Sequence, residues 1–280
     1  MIPTRISRNQ PGYRGPLRGI VFDWAGTTLD FGSRAPVQAV CEAFTAMRVP
    51  ISQAQAREPM GMAKRDHLRA VLQMEEVREQ WRCIYGRDPE DRDVDQLYES
   101  FIPIQLKHLA ESARLIPGCL EAVAGCRAQG MKIGSSTGYV CELMEVLVPL
   151  AAAQGYVPDA IVCASDVSPG RPAPWMCLEN ARLLGLYPMQ SLVAVDDTPV
   201  GILAGLNAGM WTIGIAASGN EVGLFLEELQ ALEPADRSKR IERARKKLIQ
   251  SGAHSVIETI AELPKALDEI ALAVGKGERP

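Results

Sequence analysis

Five short apolar runs recur along this chain with helix-like segments between them. They are R-G-I-V-F-D (18–23), M-K-I-G-S-S-T-G (131–138), D-A-I-V-C-A (159–164), S-L-V-A-V-D-D (191–197) and M-W-T-I-G-I (210–215). Each has the length and unbroken hydrophobicity of a buried strand. Amphipathic stretches at 119–129, 139–148 and 174–185 alternate with them. This alternation predicts βαβ units and a parallel sheet, an α/β fold of the Rossmann-like kind. The segment 254–270 reads as a last strand and a closing helix.

One stretch breaks the alternation. From residue 33 to 112 the spacing of apolar residues is helical throughout, as in A-P-V-Q-A-V-C-E-A-F-T-A-M (35–47), 67–74 and 94–109. The sequence therefore predicts a core of residues 17–32 and 113–280, with an all-helical cap, 33–112, inserted after the first strand. Residues 1–16 read as a flexible lead-in. Loops at the carboxyl ends of parallel strands carry the chemistry of open α/β sheets, so an insertion there covers the site as a lid.

Composition narrows the function classes. With 47% hydrophobic residues and a net charge of −4, the chain has material for a full core and no basic excess for nucleic acid. No apolar run approaches the roughly 20 residues of a membrane span. The odd count of seven cysteines, without a C-x-x-C pair, reads as buried reduced thiols in a cytoplasmic protein. The charged segment 235–250 reads as the solvated face of a helix.

Four strand ends bring chemistry to one sheet edge. They supply Asp23, then Ser136-Thr137-Gly138, then a loop with Arg171, then Asp196-Asp197. Acids, a hydroxyl and a cation suit a phosphoryl group and a divalent metal, since Mg²⁺ takes hard oxygen ligands. The amides of Gly26, Thr27 and Thr28 are expected to face the anion, Thr137 to donate its hydroxyl, and Arg171 to neutralise charge on the transferring group.

These residues resemble the haloacid dehalogenase superfamily. D-W-A-G-T matches its first motif, Thr137 its second, Arg171 its third, and the acids around Asp197 its fourth. The resemblance implies that Asp23 attacks phosphorus to form an aspartyl phosphate. Phosphatases of that superfamily keep a second acid two residues on, to protonate a leaving oxygen. Here that position is Ala25.

A leaving group that departs as carbon needs a different device. An amine that condenses with a neighbouring aldehyde gives an iminium, which accepts the electrons of a breaking C–P bond. The lid segment E-P-M-G-M-A-K-R-D-H (58–67) offers Lys64, with His67 three residues on. D-W-A-G-T, P-M-G-x-x-K-x-D-H, I-G-S-S-T-G-Y, G-R-P-x-P-W and N-A-G-M-W-T together resemble the phosphonoacetaldehyde hydrolase family over residues 17–272. That resemblance implies a Schiff base on Lys64, with burial and Arg171 depressing the amine's pKa. It implies one Mg²⁺ per subunit held by Asp23, the Ala25 carbonyl and Asp197. It further implies a phosphate site of Thr27, Thr137 and Arg171, a substrate end lined by Met60, His67 and Tyr139 with His67 as proton carrier, and a homodimer through the cap.

The fourth motif departs from the superfamily pattern D-x-x-x-D: the span is D-T-P-V-G, ending at Gly201, while Asp196 adds an acid in front. A compensating role for Asp196 conflicts with the alternation of side chains along a strand. Ser33, near the first linker, reads either as a site residue or as turn chemistry. The alternatives are a phosphatase or phosphomutase of the superfamily, a dehalogenase, and a non-catalytic phosphate-binding relative. The helix at 35–47, with Cys41 and Met47, is a candidate dimer surface or cap core.

Overall fold

The computed structural model describes residues 12–280, so residues 1–11 of the expected lead-in lie outside the described residues. The six strands are β1 (Gly19–Phe22), β2 (Lys132–Thr137), β3 (Ala160–Cys163), β4 (Leu192–Asp196), β5 (Trp211–Ile215) and β6 (Ser255–Ile257). They form one sheet of order β3-β2-β1-β4-β5-β6, parallel throughout. β1 lies between β2 and β4, and all four of its residues are buried. The direction of winding reverses at β1, and the crevice beyond the strand ends at such a reversal is where ligands bind in doubly wound sheets.

Register then fixes what meets there. Phe22 pairs with Ser135 of β2 and Val195 of β4. The next residue, Asp23, donates its N–H to the Val195 carbonyl at 2.9 Å. It therefore stands level with Ser136 and Asp196, one residue past those pairings.

Between β1 and β2 the chain makes five helices: α1 (Arg34–Ala46), α2 (Gln53–Arg57), α3 (Lys64–Leu72), α4 (Glu75–Tyr85) and α5 (Asp91–Ser112). α1 and α3 both pack on α5. The apolar stripe of α1, with Val37, Val40, Ala43 and Phe44, is buried in that packing rather than presented to a partner. α2 is too short to carry an apolar stripe, whereas α4 carries one, with Val77, Trp81 and Ile84 at helical spacing. α2 is set by a reciprocal cap between Ser52 and Gln55, and α4 is anchored by Val77 and Trp81 alone.

The core helices are α6 (Cys119–Ala128), α7 (Cys141–Ala153), α8 (Trp175–Leu184), α9 (Pro199–Asn207), α10 (Leu226–Ala231), α11 (Pro234–Gln250) and α12 (Leu263–Lys276). α5 leans on α7, which ties cap to core. α11 buries only Ile241, Ala244 and Leu248 and presents its charges to solvent. No helix among the described residues is long and apolar enough to cross a membrane. The cysteines are all free, but Cys83 and Cys141 are exposed, unlike the buried thiols expected.

Phe44 is fully buried on α1. Phe44→Ala is expected to lower unfolding free energy by about 3–5 kcal/mol, the usual cost of deleting a buried aromatic ring. Urea titration followed by circular dichroism measures it.

Candidate active site

A pocket enclosing about 300 Å³ of space, part of it open solvent, sits where the reversal point of the sheet meets the cap. From the core it is lined by Asp23, Ala25, Thr137, Gly138, Tyr139, Arg171, Asp197 and Thr198, and from the cap side by Ser33, Pro36, Met60, Gly61 and Lys64. Two glycines mark the joint. A Cβ on Gly61 would meet the Thr198 hydroxyl at 2.5 Å, and one on Gly138 would meet the Met62 carbonyl at 2.7 Å.

Asp23, Asp196 and Asp197 are buried, with carboxylate oxygens within 4.8 Å of one another. Arg171 bridges two of them: its Nη1 donates to Asp23 Oδ1 at 2.7 Å and is paired with Asp196 Oδ2 at 3.0 Å. Its Nη2 donates to the carbonyl and hydroxyl of Ser136 at 3.0 and 2.7 Å. Arg171 thus holds the acids as well as lining the pocket. One guanidinium against three carboxylates leaves the cluster short of positive charge. Burial and the charge of Asp196 push the Asp23 carboxyl up to about 7, against the pull of Arg171. Burial, with Asp23 and Asp196, raises Asp197 well above the carboxylate range. Hard, crowded oxygen donors with Ala25 on the same wall are the donor set a small divalent cation takes.

The departure at Gly201 has a steric cause. A Cβ built on Gly201 would lie 1.9 Å from the Asp196 carboxyl carbon. The Asp196 carboxylate fills the space that a side chain at 201 would need, and Thr198 holds it there through its N–H and hydroxyl, at 2.9 and 2.7 Å. Strand alternation does not separate Asp196 from Asp197, because β4 ends at Asp196 and the chain turns there.

Lys64 is the first residue of α3 and is 3% exposed. Its Nζ lies 3.9 Å from Met60 Sδ and 5.3 Å from the centre of the Tyr139 ring. Burial lowers its pKa to about 8; Asp23 opposes this and Arg171 adds to it. The Tyr139 hydroxyl is buried and has no hydrogen-bond partner among the described residues. Thr137 Oγ1 accepts from the Tyr139 N–H at 3.1 Å, which leaves its own proton for a ligand.

Three expectations place residues differently from the structure. His67 is not on the pocket wall: its Nε2 is 2.8 Å from the Ala56 carbonyl, which makes Nε2 the protonated nitrogen. Burial, then Lys64, lowers its pKa to about 3, so it stays neutral and does not suit a proton carrier at ordinary pH. Thr27 turns its hydroxyl to Asp197 Oδ1 at 3.4 Å and is likewise not on the pocket wall. The amides of Gly26, Thr27 and Thr28 donate to the carbonyls of Leu29 and Trp24, so they are spent within the loop. The doubt over Ser33 is settled by Asp30, whose two carboxylate oxygens accept from the N–H groups of Arg34 and Ala35 and cap α1. Ser33 itself is part of the turn, its N–H donating to the Asp30 carbonyl at 2.8 Å, and it also lines the pocket. The reading of the sequence passed over Thr198, Asn220 and Arg57, which carry no motif spacing of their own.

Gly201→Ala is expected to displace the Asp196 carboxylate and cost about 1–3 kcal/mol, the usual range for overpacking. The same change in an Asp196→Gly background is expected to cost much less, because the two sites share one space. Thermal unfolding of the three variants tests the non-additivity.

A family model described as haloacid dehalogenase-like hydrolase matches residues 17–209. A phosphonoacetaldehyde hydrolase of Hahella chejuensis is 46% identical over 96% of this chain and 91% of its own. A phosphonoacetaldehyde hydrolase-like protein of Syntrophobacter fumaroxidans is 43% identical, over 98% of this chain and 99% of its own. The crystal structure of a phosphonoacetaldehyde hydrolase-like protein from Oleispira antarctica superposes with a TM-score of 0.95 at 40% identity, over 98% of this chain and 99% of that one. The chain is therefore a haloacid dehalogenase-like hydrolase and belongs to the family of phosphonoacetaldehyde hydrolases and their like.

Proposed function

We propose that this chain hydrolyses the C–P bond of phosphonoacetaldehyde to acetaldehyde and phosphate, as a step of 2-aminoethylphosphonate degradation. The observation that carries the reading is Lys64: a buried amine with a lowered pKa, facing Asp23 across a small pocket whose position 25 has no acid. Asp23 and Asp197, with the Ala25 carbonyl, are the residues that would hold Mg²⁺, which when bound neutralises the carboxylates and the phosphoryl oxygens.

The chemistry follows from these positions. Neutral Lys64 attacks the aldehyde carbon and, with loss of water and uptake of one proton from solvent, forms a protonated imine; that proton is returned when the imine is later hydrolysed. Asp23 attacks phosphorus, the C–P electrons pass into the imine, and an enamine remains on Lys64 beside an aspartyl phosphate. Water hydrolyses the acyl phosphate. The enamine takes a proton on carbon, and a second water releases acetaldehyde from Lys64. Thr137 donates to a phosphoryl oxygen, Arg171 keeps Asp23 in line, and the unpartnered Tyr139 hydroxyl stands at the carbonyl end. A phosphatase or phosphomutase would need at position 25 the acid that Ala25 lacks. We extend the family resemblance to a cytoplasmic homodimer formed through the cap, which light scattering tests.

Acetaldehyde release from phosphonoacetaldehyde, followed with a coupled dehydrogenase, is expected only with a divalent cation present. Borohydride added with substrate is expected to leave a reduced adduct on Lys64, seen by peptide mass spectrometry. Lys64→Arg should lose the adduct and at least the roughly 10²–10⁴-fold that a positioned catalytic group contributes. Activity on simple phosphate esters without acetaldehyde release or adduct would overturn the reading.

The pH dependence has a definite sign. The amine is the nucleophile, so turnover is expected to rise with pH through about 8 as Lys64 loses its proton. A rate that is flat across that range would show that the amine does not limit the reaction.

A further inference from the structure

We propose that Arg57 is a positioning residue that clasps the cap onto the core loop 216–223 and, through Asn220, holds the Asp197 carboxylate in place when the cap is closed. The proposal rests on reading Asp197 as a site acid.

Arg57 ends α2, within the cap, yet apart from a 3.5 Å bond to the carbonyl of Ser33, the cap's first residue, its guanidinium bonds lie outside it. Nη1 donates to the Gly32 carbonyl at 2.9 Å and to the carbonyl and side-chain oxygen of Asn220 at 3.3 and 3.1 Å. Nη2 donates to the Gly223 carbonyl at 3.0 Å. Asn220 returns a bond from its amide nitrogen to the Arg57 carbonyl at 3.1 Å. Asn220 is 1% exposed, and its backbone N–H donates to Asp197 Oδ2 at 2.6 Å. One core residue thus touches the cap by its side chain and the site by its backbone.

The loop is shaped for both contacts. In S-G-N-E-V-G (218–223), a Cβ on Gly219 would meet Asp197 Cβ at 2.6 Å, and one on Gly223 would meet the Arg57 guanidinium carbon at 2.5 Å. Gly219 and Gly223, on either side of Asn220, let the loop approach Asp197 and Arg57 that closely. Ser218 extends the same loop, accepting from the Gly32 N–H at 2.7 Å and donating to the Gly26 carbonyl at 2.8 Å. The linker it holds is strained: Asp30 and Ser33 have φ of 53° and 48°, a region that non-glycine residues occupy at a cost. Arg57 and Ser218 brace that linker from opposite sides. Opening the cap would take the guanidinium from these acceptors and leave Asn220 free to drift from Asp197.

The test compares the full chain with Arg57→Ala and Arg57→Lys by hydrogen–deuterium exchange without metal and by Mg²⁺ titration calorimetry. Arg57→Ala is expected to speed exchange in peptides covering 216–223 by about tenfold and to weaken Mg²⁺ binding about 10- to 100-fold, as loss of support behind a ligand does. Arg57→Lys, which keeps one donor, should show both effects at smaller amplitude and decides the matter if the alanine variant does not fold. Faster exchange confined to the 30–35 linker, with the loop and Mg²⁺ affinity unchanged, would overturn the proposal. If the unaltered chain takes up no Mg²⁺, the metal reading fails, and the exchange of the loop alone decides whether Arg57 holds it.

Discussion

Arg171 makes the centre of this molecule possible. Three carboxylates within 4.8 Å and out of solvent would repel one another strongly, and burial already disfavours the ionised forms of Asp23 and Asp197. By pairing with Asp23 and Asp196 at once, the guanidinium fixes the direction of the Asp23 carboxylate and defines where the remaining charge deficit lies. The Ser136 carbonyl and hydroxyl then fix the guanidinium. The parallel register of β1, β2 and β4 is what brings these groups level, so sheet and site share one geometry.

The cap supplies what the sheet edge cannot. A strand end can present an acid or a hydroxyl to a phosphoryl group, but an amine that gives up its proton more readily than a free lysine needs a surrounding of low polarity. Lys64 finds it between Met60 and the face of Tyr139, at the start of a helix whose amino-terminal dipole also disfavours a cation. Lys64 belongs to the cap and Asp23 to the core, so the pocket holds both only where the two parts meet.

Much of this was legible in the sequence because it obeys local rules. The strands lie where unbroken apolar runs stop at polar residues, and the interruption of that alternation located the helical insertion. Asp23, Lys64, Thr137, Tyr139, Arg171 and Asp197 share one pocket as their motifs led one to expect. What escaped the reading is set by contacts distant in sequence or by competition between neighbours. Whether Thr27 faces a ligand or Asp197 depends on a partner 170 residues away. His67 has helical spacing from Lys64, yet its ring nitrogen goes to the carbonyl of Ala56. The shared space of Asp196 and Gly201 follows from how the chain turns after β4, which strand alternation does not describe. α2 and α4 lie inside the span expected to be helical but were not singled out, while α9, an apolar segment hidden behind a motif, and the short α10 were not expected.

The two glycines at the joint carry a consequence for traffic. With Gly61 against Thr198 and Gly138 against the Met62 carbonyl, the cap rests on the core with no room for even a methyl group. Asp23 and Lys64 are 6% and 3% exposed, so the closed form has almost no doorway to either. On the proposed reaction, substrate and products pass along this seam, and the rate at which the two parts separate and re-seat would set a ceiling on turnover.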